Sequence, residues 1–466
     1  MTQEISRQLV KLPKNSLVKF IASLYGQDNN LDKRIDTLVL QDDPKALHKA
    51  LKKRVQSLKR SSRYIPYGES FEFSRQLDAL LDDIRSLVLP LSASLAFDLA
   101  DRFLLSADKT FERVDDSAGI VGDSYRQGVD LWLLAAQNWQ KNATSHDKKC
   151  SENWLERIVT LFAHNDYGVY DTLLPNSGNL LSDDELGQLA WRFEGDARRA
   201  LADASDSEAY NFEASKACQG VRAVAEALKD IELYERATLI SHPEPNDLQR
   251  FQLAEYSLQL EQGESALKWL LPVAQDRFEQ QRLSLLDKCY QLLQDNTRLL
   301  EVRRQLYQRA PNFDSLCALA ELLPEEEKSD LMQQAIDDAK GLDNLVQAAK
   351  LLLKLSAIDE LERLVLSRVG ELEGEFYSHL IDLAKALEPF DRPLLELFCY
   401  RALLEDILDR AYSKAYGYAV RYYRKIQELD ARIDDYRGHP NLAVYMAGIQ
   451  DKHGRKSSFW RQVNAE

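Results

Sequence analysis

The chain has 466 residues, 45% of them apolar and 29% charged, with a formal charge of −15. That is material for two to four compact domains or one elongated stack of repeats, and the acidic balance argues against coating nucleic acid non-specifically over the whole surface. No run approaches the roughly eighteen apolar residues of a membrane span.

Glycine, at 18 residues, is scarce, which disfavours doubly wound sheets and phosphate loops, whose backbones need its freedom. The stretch Met1–Leu12, with Glu4, Arg7 and Lys11, lacks the apolar core of a secretory signal. The five cysteines (Cys150, Cys218, Cys289, Cys317, Cys399) form no C-x-x-C pair. Zinc-ribbon and thioredoxin-like chemistry are thereby excluded, and the expectation is reduced, mostly buried thiols in a cytoplasmic protein.

Taken in chain order, the helical period recurs from end to end and strand alternation is nearly absent. Leu47, Leu51, Val55 and Leu58 make one apolar stripe over Ala46–Lys59. The surrounding run holds Lys45, Lys49, Lys52, Lys53, Arg54, Lys59, Arg60 and Arg63 without one acid. In so acidic a chain it is a candidate contact for phosphates or an acidic protein surface, with Lys49, Lys52, Lys53 and Arg60 as candidate residues. A solvated face paired with acids elsewhere is the preferred alternative. The string Asp115–Ser124, with Gly119 and Gly122 among carboxylates and hydroxyls, could hold a hard cation, but it lacks EF-hand spacing and reads better as a capping loop.

Gly128–Trp139 reads as a deeply buried helix, followed by a polar joint at Lys141–Ser151. His164-Asn165-Asp166-Tyr167-Gly168 reads as a loop, since neighbouring side chains rarely face each other and no G-x-S-x-G elbow exists. Ser182 and Glu185 have the form of a capping box, opening a helix with Leu186, Leu189, Trp191 and Phe193. Further joints are expected at the loop Asn176–Ser182 and at His242–Asn246, with Pro243 and Pro245, the latter and Lys141–Ser151 being the preferred boundaries.

From Asn246 onward, breaks at Gly263, Asn296, Pro324, near Ala357 and at Pro389 recur about every thirty to thirty-three residues, close to helix–turn–helix solenoids. Leu253–Ala274 resembles a tetratricopeptide unit through Ala254, Tyr256, Gly263, Ala266, Leu267 and Trp269. The expected fold is all-α: an α-solenoid of tetratricopeptide-like hairpins over 246–466 with a C-terminal cap. A less regular N-terminal helical region (1–145) and a middle helical region (146–245) precede it.

In Leu394–Leu408 and just beyond, Arg401 and Glu405, then Asp406 and Arg410, stand four apart, the spacing of helical ion pairs. Lys414, Tyr416, Arg421, Arg424 and Lys425 follow, and the tail adds Arg455, Lys456 and Trp460. Basic residues among aromatics suit either a nucleic-acid grip or a capping helix, and the cap is preferred.

The segments Tyr400–Ala411 and Ser413–Ala419, with His453–Trp460 and Asp115–Gly122, resemble an uncharacterised bacterial helical-repeat family, some of whose relatives carry a SWIM-type zinc finger. No such finger is present here. The resemblance implies helical repeats and no established activity.

The leading expectation is a non-catalytic scaffold or adaptor for a protein partner, without cofactor or metal. The alternative is a nucleic-acid-associated accessory protein using Lys45–Arg63 and the basic C-terminus. A third is an enzyme built around Asp115–Ser124.

Overall fold

The computed structural model describes residues 3–142, 152–165, 167–203, 211–273, 276–374 and 377–464. Cys150, Asp166, Ala274 and most of the Lys141–Ser151 joint lie outside them. Among the described residues every regular element is helical, apart from an isolated parallel pairing of Ile65 with Val114.

The chain divides into two compact units, 1–249 and 250–466. The division falls just after the expected joint at His242–Asn246.

The first unit runs α1 (Gln3–Val10), α2 (Lys14–Leu24), α3 (Asn29–Val39), α4 (Pro44–Arg60), α5 (Tyr67–Asp83), α6 (Ala93–Leu104), α7 (Ala107–Phe111), α8 (Ile120–Asn142), α9 (Trp154–Ala163), α10 (Asp183–Ala202), α11 (Phe212–Leu228) and α12 (Ile231–Ser241). One continuous core extends from Leu47 of α4 to Ala237 of α12. Helices on both sides of the expected 145/146 partition therefore share it. At its centre Phe97 contacts the rings of Trp132, Trp139 and Trp154, and the Trp132 indole N–H donates to Asp101 at 3.1 Å. Gly128 lets α8 approach α6 closely: a Cβ there would stand 2.7 Å from Phe103.

The second unit begins within α13 (Asp247–Gln259) and continues through α14 (Gly263–Leu270), α15 (Glu279–Leu292), α16 (Asn296–Arg309), α17 (Phe313–Glu321), α18 (Glu325–Lys340), α19 (Leu345–Lys354), α20 (Ile358–Ser367), α21 (Tyr377–Leu387), α22 (Pro393–Asp409), α23 (Tyr416–Asp430), α24 (Leu442–His453) and α25 (Ser457–Asn464). From α14 to α20 successive helices pack as neighbours, and the closest packing is in α15–α16, α21–α22 and α22–α23, while α21 also packs on α19 and α25 on α23. The tetratricopeptide-like residues Ala254, Tyr256, Ala266, Leu267 and Trp269 are all buried.

Helix starts follow side-chain chemistry. Asp28, Asp43, Ser92, Asn153, Asn211, Asp230, Asp295, Asn344 and Asn441 each accept a first-turn amide, supplying a partner that the helix itself cannot. Ser182 and Glu185 form the expected reciprocal box.

The tight turns carry a second regularity. Lys229, Glu261, Gln294, Ser356 and Asp391 all have positive φ. Each immediately precedes the N-cap residue of the next helix.

Candidate functional site

The basic run of the first unit folds as the apolar stripe requires. Pro44 occupies the first turn of α4, Asp43 caps it, and Leu47, Leu51 and Val55 are buried. Three of the cations face acids: Lys52 lies 3.7 Å from Asp98, Arg54 2.5 Å from Asp83, and Arg63 2.5 Å from Glu69. Lys45, Lys49, Lys53 and Arg60 are exposed, with no ion-pair partner among the described residues. Lys45, Lys49 and Lys53 stand four apart on one face, where like charges repel by about 0.2–0.5 kcal/mol per pair. The candidate set Lys49, Lys52, Lys53 and Arg60 is thus split, with Lys52 held by an acid of α6.

Beside the end of α4 lies a cavity of about 370 Å³, floored by Leu58, Ile65 and Phe73 and edged by Ser61, Gln76 and Arg113. The Ile65–Val114 pairing fixes its back wall: the Ile65 amide donates to the Arg113 carbonyl at 2.8 Å, and the Asp115 amide to the Ile65 carbonyl at 2.9 Å. Arg113 is only 8% exposed. Its Nη1 donates to the Arg63 carbonyl at 3.2 Å and its guanidinium lies 5.1 Å from the centre of the Phe73 ring, while its Nε is buried without a partner. No carboxylate among the described residues lies within ion-pair distance of it. Burial lowers its pKa, yet an arginine stays charged. An unmatched buried polar group costs about 1–3 kcal/mol, more when charged. Nothing in the sequence pattern marks this residue, because Arg113 reaches α4 only through the fold.

In the second unit, the C-terminal candidates separate into core and surface. Arg401 is buried. It does not pair with Glu405: Tyr445, Tyr436 and Phe398 surround its guanidinium, the first with its ring centre 4.1 Å away. Its Nη1 donates to the Pro440 carbonyl at 2.8 Å. It thus ties the Tyr436–Tyr445 segment to α22, leaving no face for a partner. Tyr416 is also buried, against Phe459. Trp460 packs on Tyr423 and Phe459 and donates its indole N–H to the His453 carbonyl at 3.0 Å. Lys425 pairs with Glu428 at 3.4 Å and Arg410 with Asp406 at 3.5 Å. Arg424 is half-buried, Arg455 exposed and Lys456 half-buried.

What the sequence did not announce is a cavity of about 350 Å³ between α21, α22 and α23. Ile381, Leu403 and Ile407 form its floor, and Tyr377, Tyr412, Tyr418 and Tyr422 stand around it. Gly374 makes the close approach on one side, since a Cβ there would lie 2.5 Å from the Ala402 carbonyl oxygen. Ala411, with φ of 51°, turns the chain so that Tyr412 lines the cavity. Arg410 is on the rim, Lys414 is exposed beside Tyr412, and the Arg421 guanidinium lies 4.5 Å from the Tyr418 ring centre. Neither Lys414 nor Arg421 has an ion-pair partner among the described residues.

A larger groove of about 640 Å³ crosses α16 to α18, where Glu327, Asp330 and Asp337 lie along it and Tyr307 donates to Asp338 at 3.1 Å.

The enzyme-like strings are used locally. Asp116 accepts the amides of Val121 and Gly122 at the start of α8, and Asp115 holds Ser117. His164 lies 2.8 Å from the Thr160 carbonyl, and Asn165 ties to Asp171 and Tyr170. Burial pushes the thiols of Cys289 and Cys399 up to about 12, so both stay protonated. Among the described residues no group of three or more His, Cys, Asp or Glu could hold a metal ion, and no helix is long and apolar enough to cross a membrane.

Fold and surface together define an all-helical protein with an aromatic cavity in its second unit. The chain belongs to a family of unknown function (DUF6880), whose model matches residues 6–462. The expected resemblance is met in its uncharacterised family, while neither a helical-repeat class nor a SWIM-type finger accompanies that match. No curated protein matches the chain.

Proposed function

We propose that the protein is a non-catalytic scaffold of tetratricopeptide-like hairpins, whose tyrosine-lined cavity holds an apolar side chain from an acidic segment of a protein partner. The cavity carries this reading. Its volume is near the small end of ligand pockets, about 300–1,000 Å³, which suits an anchor side chain. The aliphatic floor offers burial, and the tyrosines offer rigid contact with a polar edge, the combination enriched at binding hot spots. In the lining itself Arg410 is balanced by Asp406, so the unpaired charge comes from Lys414, two residues from Tyr412, and Arg421, stacked on Tyr418, which fits acidic residues beside the anchor.

A nucleic acid fits this place less well, because bases stack on open aromatic faces along a groove that tracks many phosphates. The positive-φ turns at Glu261, Gln294, Ser356 and Asp391 support the hairpin assignment, since they are separated by about one, two and one tetratricopeptide periods in turn.

The test is quantitative binding of the full chain to a partner identified by affinity purification. Tyr418→Ala and Lys414→Glu each change exposed groups and should weaken binding about tenfold or more with the melting temperature unchanged. Unchanged affinity in both variants contradicts the proposal.

The unpaired Lys45–Lys49–Lys53 stripe supports a second reading, contact with a polyanion such as nucleic acid. Binding that weakens steeply with salt and is lost in Lys49→Glu/Lys53→Glu is its expected signature. No binding at low salt removes it.

A further inference from the structure

The cavity at the end of α4 is independent of the proposed partner site. Its defining feature is a buried guanidinium that no carboxylate among the described residues neutralises and whose only hydrogen bond is to the Arg63 carbonyl. Arg113 is nine-tenths buried, its Nε meets no acceptor, and the other carboxylates at hand are occupied: Glu69 by Arg63 at 2.5 Å and Glu72 by Arg75 at 2.8 Å. Arg401, the other deeply buried arginine with orphaned nitrogens, differs in a decisive way. It is boxed by three aromatic rings and lines none of the cavities described above, whereas Arg113 lines a space of about 370 Å³.

Two observations narrow the occupant. Leu58, Ile65 and Phe73 give the cavity an apolar floor beside the guanidinium, so an ion with no apolar body would leave most of the space to water. Glu69 and Glu72 stand in the lining but are paired with Arg63 and Arg75, which leaves Arg113 as the one unbalanced charge; a monoanion neutralises it and a dianion exceeds it. Inorganic phosphate and phosphomonoesters are therefore poor fits. A carboxylate is planar, singly charged and matched to the arginine fork. Ser61 and Gln76 offer further hydrogen-bonding groups at the edge.

We propose that this cavity binds a single carboxylate carried on an apolar body, with Arg113 as its counter-ion and Phe73 and Ile65 against the apolar part. The C-terminal residue of a peptide and a small aliphatic acid share that chemistry. The exposed Arg60, next in sequence to Ser61 of the lining, adds positive potential.

The experiment is calorimetric titration of the full chain with N-acetyl-leucine, N-acetyl-leucinamide, hexanoate and inorganic phosphate. N-acetyl-leucine is expected to bind at least tenfold more tightly than its amide. Hexanoate binding as well as N-acetyl-leucine identifies the small-acid source, and weaker hexanoate binding identifies the peptide terminus. Phosphate binding as tightly as either carboxylate overturns the proposal, as does equal affinity for acid and amide, or no binding by any of the four.

Arg113→Lys should lower the affinity about tenfold, because an ammonium cannot present the fork. Should that variant fail to fold, Glu72→Gln keeps the question open to decision. It removes an exposed charge and should tighten N-acetyl-leucine about threefold, and unchanged or weaker binding there contradicts the assignment.

Discussion

Glu396 is 0% exposed, and neither carboxylate oxygen has a hydrogen-bond partner. It lies in the first turn of α22, where the helix dipole favours a negative charge. Burial nevertheless dominates and raises its pKa against the pull of Arg432 and Lys425, with Glu388 and Asp391 adding to the rise. A carboxyl whose folded pKa exceeds the unfolded one stabilises the fold below the unfolded value. That contribution is lost as pH rises through the folded pKa. Glu396→Gln should therefore raise the melting temperature at neutral pH, by about 2–4 °C for each kcal/mol recovered, and should flatten the pH dependence above the ordinary carboxylate range. A melting temperature lowered at pH 7 would show that the charged form is stabilising. The position was not legible in sequence, where Glu396 is one glutamate in a helix rich in leucine. Arg401 illustrates the same limit: the spacing to Glu405 is that of a surface ion pair, but aromatic residues distant in sequence enclose the guanidinium.

At the scale of elements, period, caps and the positions of breaks were readable while the backbone conformation of the turns was not. Leu47, Leu51 and Val55 announced α4, and Ser182 with Glu185 announced α10. The helical period is local, so it survives without knowledge of the fold. Trp191 shows where the reading ran out: it lies on α10 as expected but is 81% exposed, since only packing partners decide which apolar residue faces inward. The breaks expected at Gly263, Asn296, near Ala357 and at Pro389 fall within two residues of Glu261, Gln294, Ser356 and Asp391, but the left-handed backbone of these turns was hidden because it is adopted without glycine. An L-residue in that region costs about 1–2 kcal/mol, partly offset by the greater backbone freedom glycine loses on folding. Glu261→Gly, Gln294→Gly and Ser356→Gly should each gain roughly 0.5–1 kcal/mol in denaturant unfolding, and distant sites should add. Gly128→Ala should do the opposite, losing about 1–3 kcal/mol through overpacking against Phe103.

Over the whole molecule, the formal charge of −15 makes the exposed cations more informative. Those of the candidate regions without an ion-pair partner among the described residues include Lys45, Lys49, Lys53 and Arg60 in one unit and Lys414, Arg421 and Arg455 in the other. The two basic regions were legible as composition. The cavities beside them were not, because Arg113 joins α4, and Tyr377 joins Tyr412 and Tyr418, only through folding.

The central claim, that the tyrosine-lined cavity is the partner site, is tested most directly by one affinity measurement. The full chain and its Tyr412→Ala/Tyr418→Ala variant are titrated with the identified partner at fixed salt, after equal helicity and melting temperature have been verified. The account predicts a loss of affinity of at least tenfold. Equal affinity in the variant would contradict it.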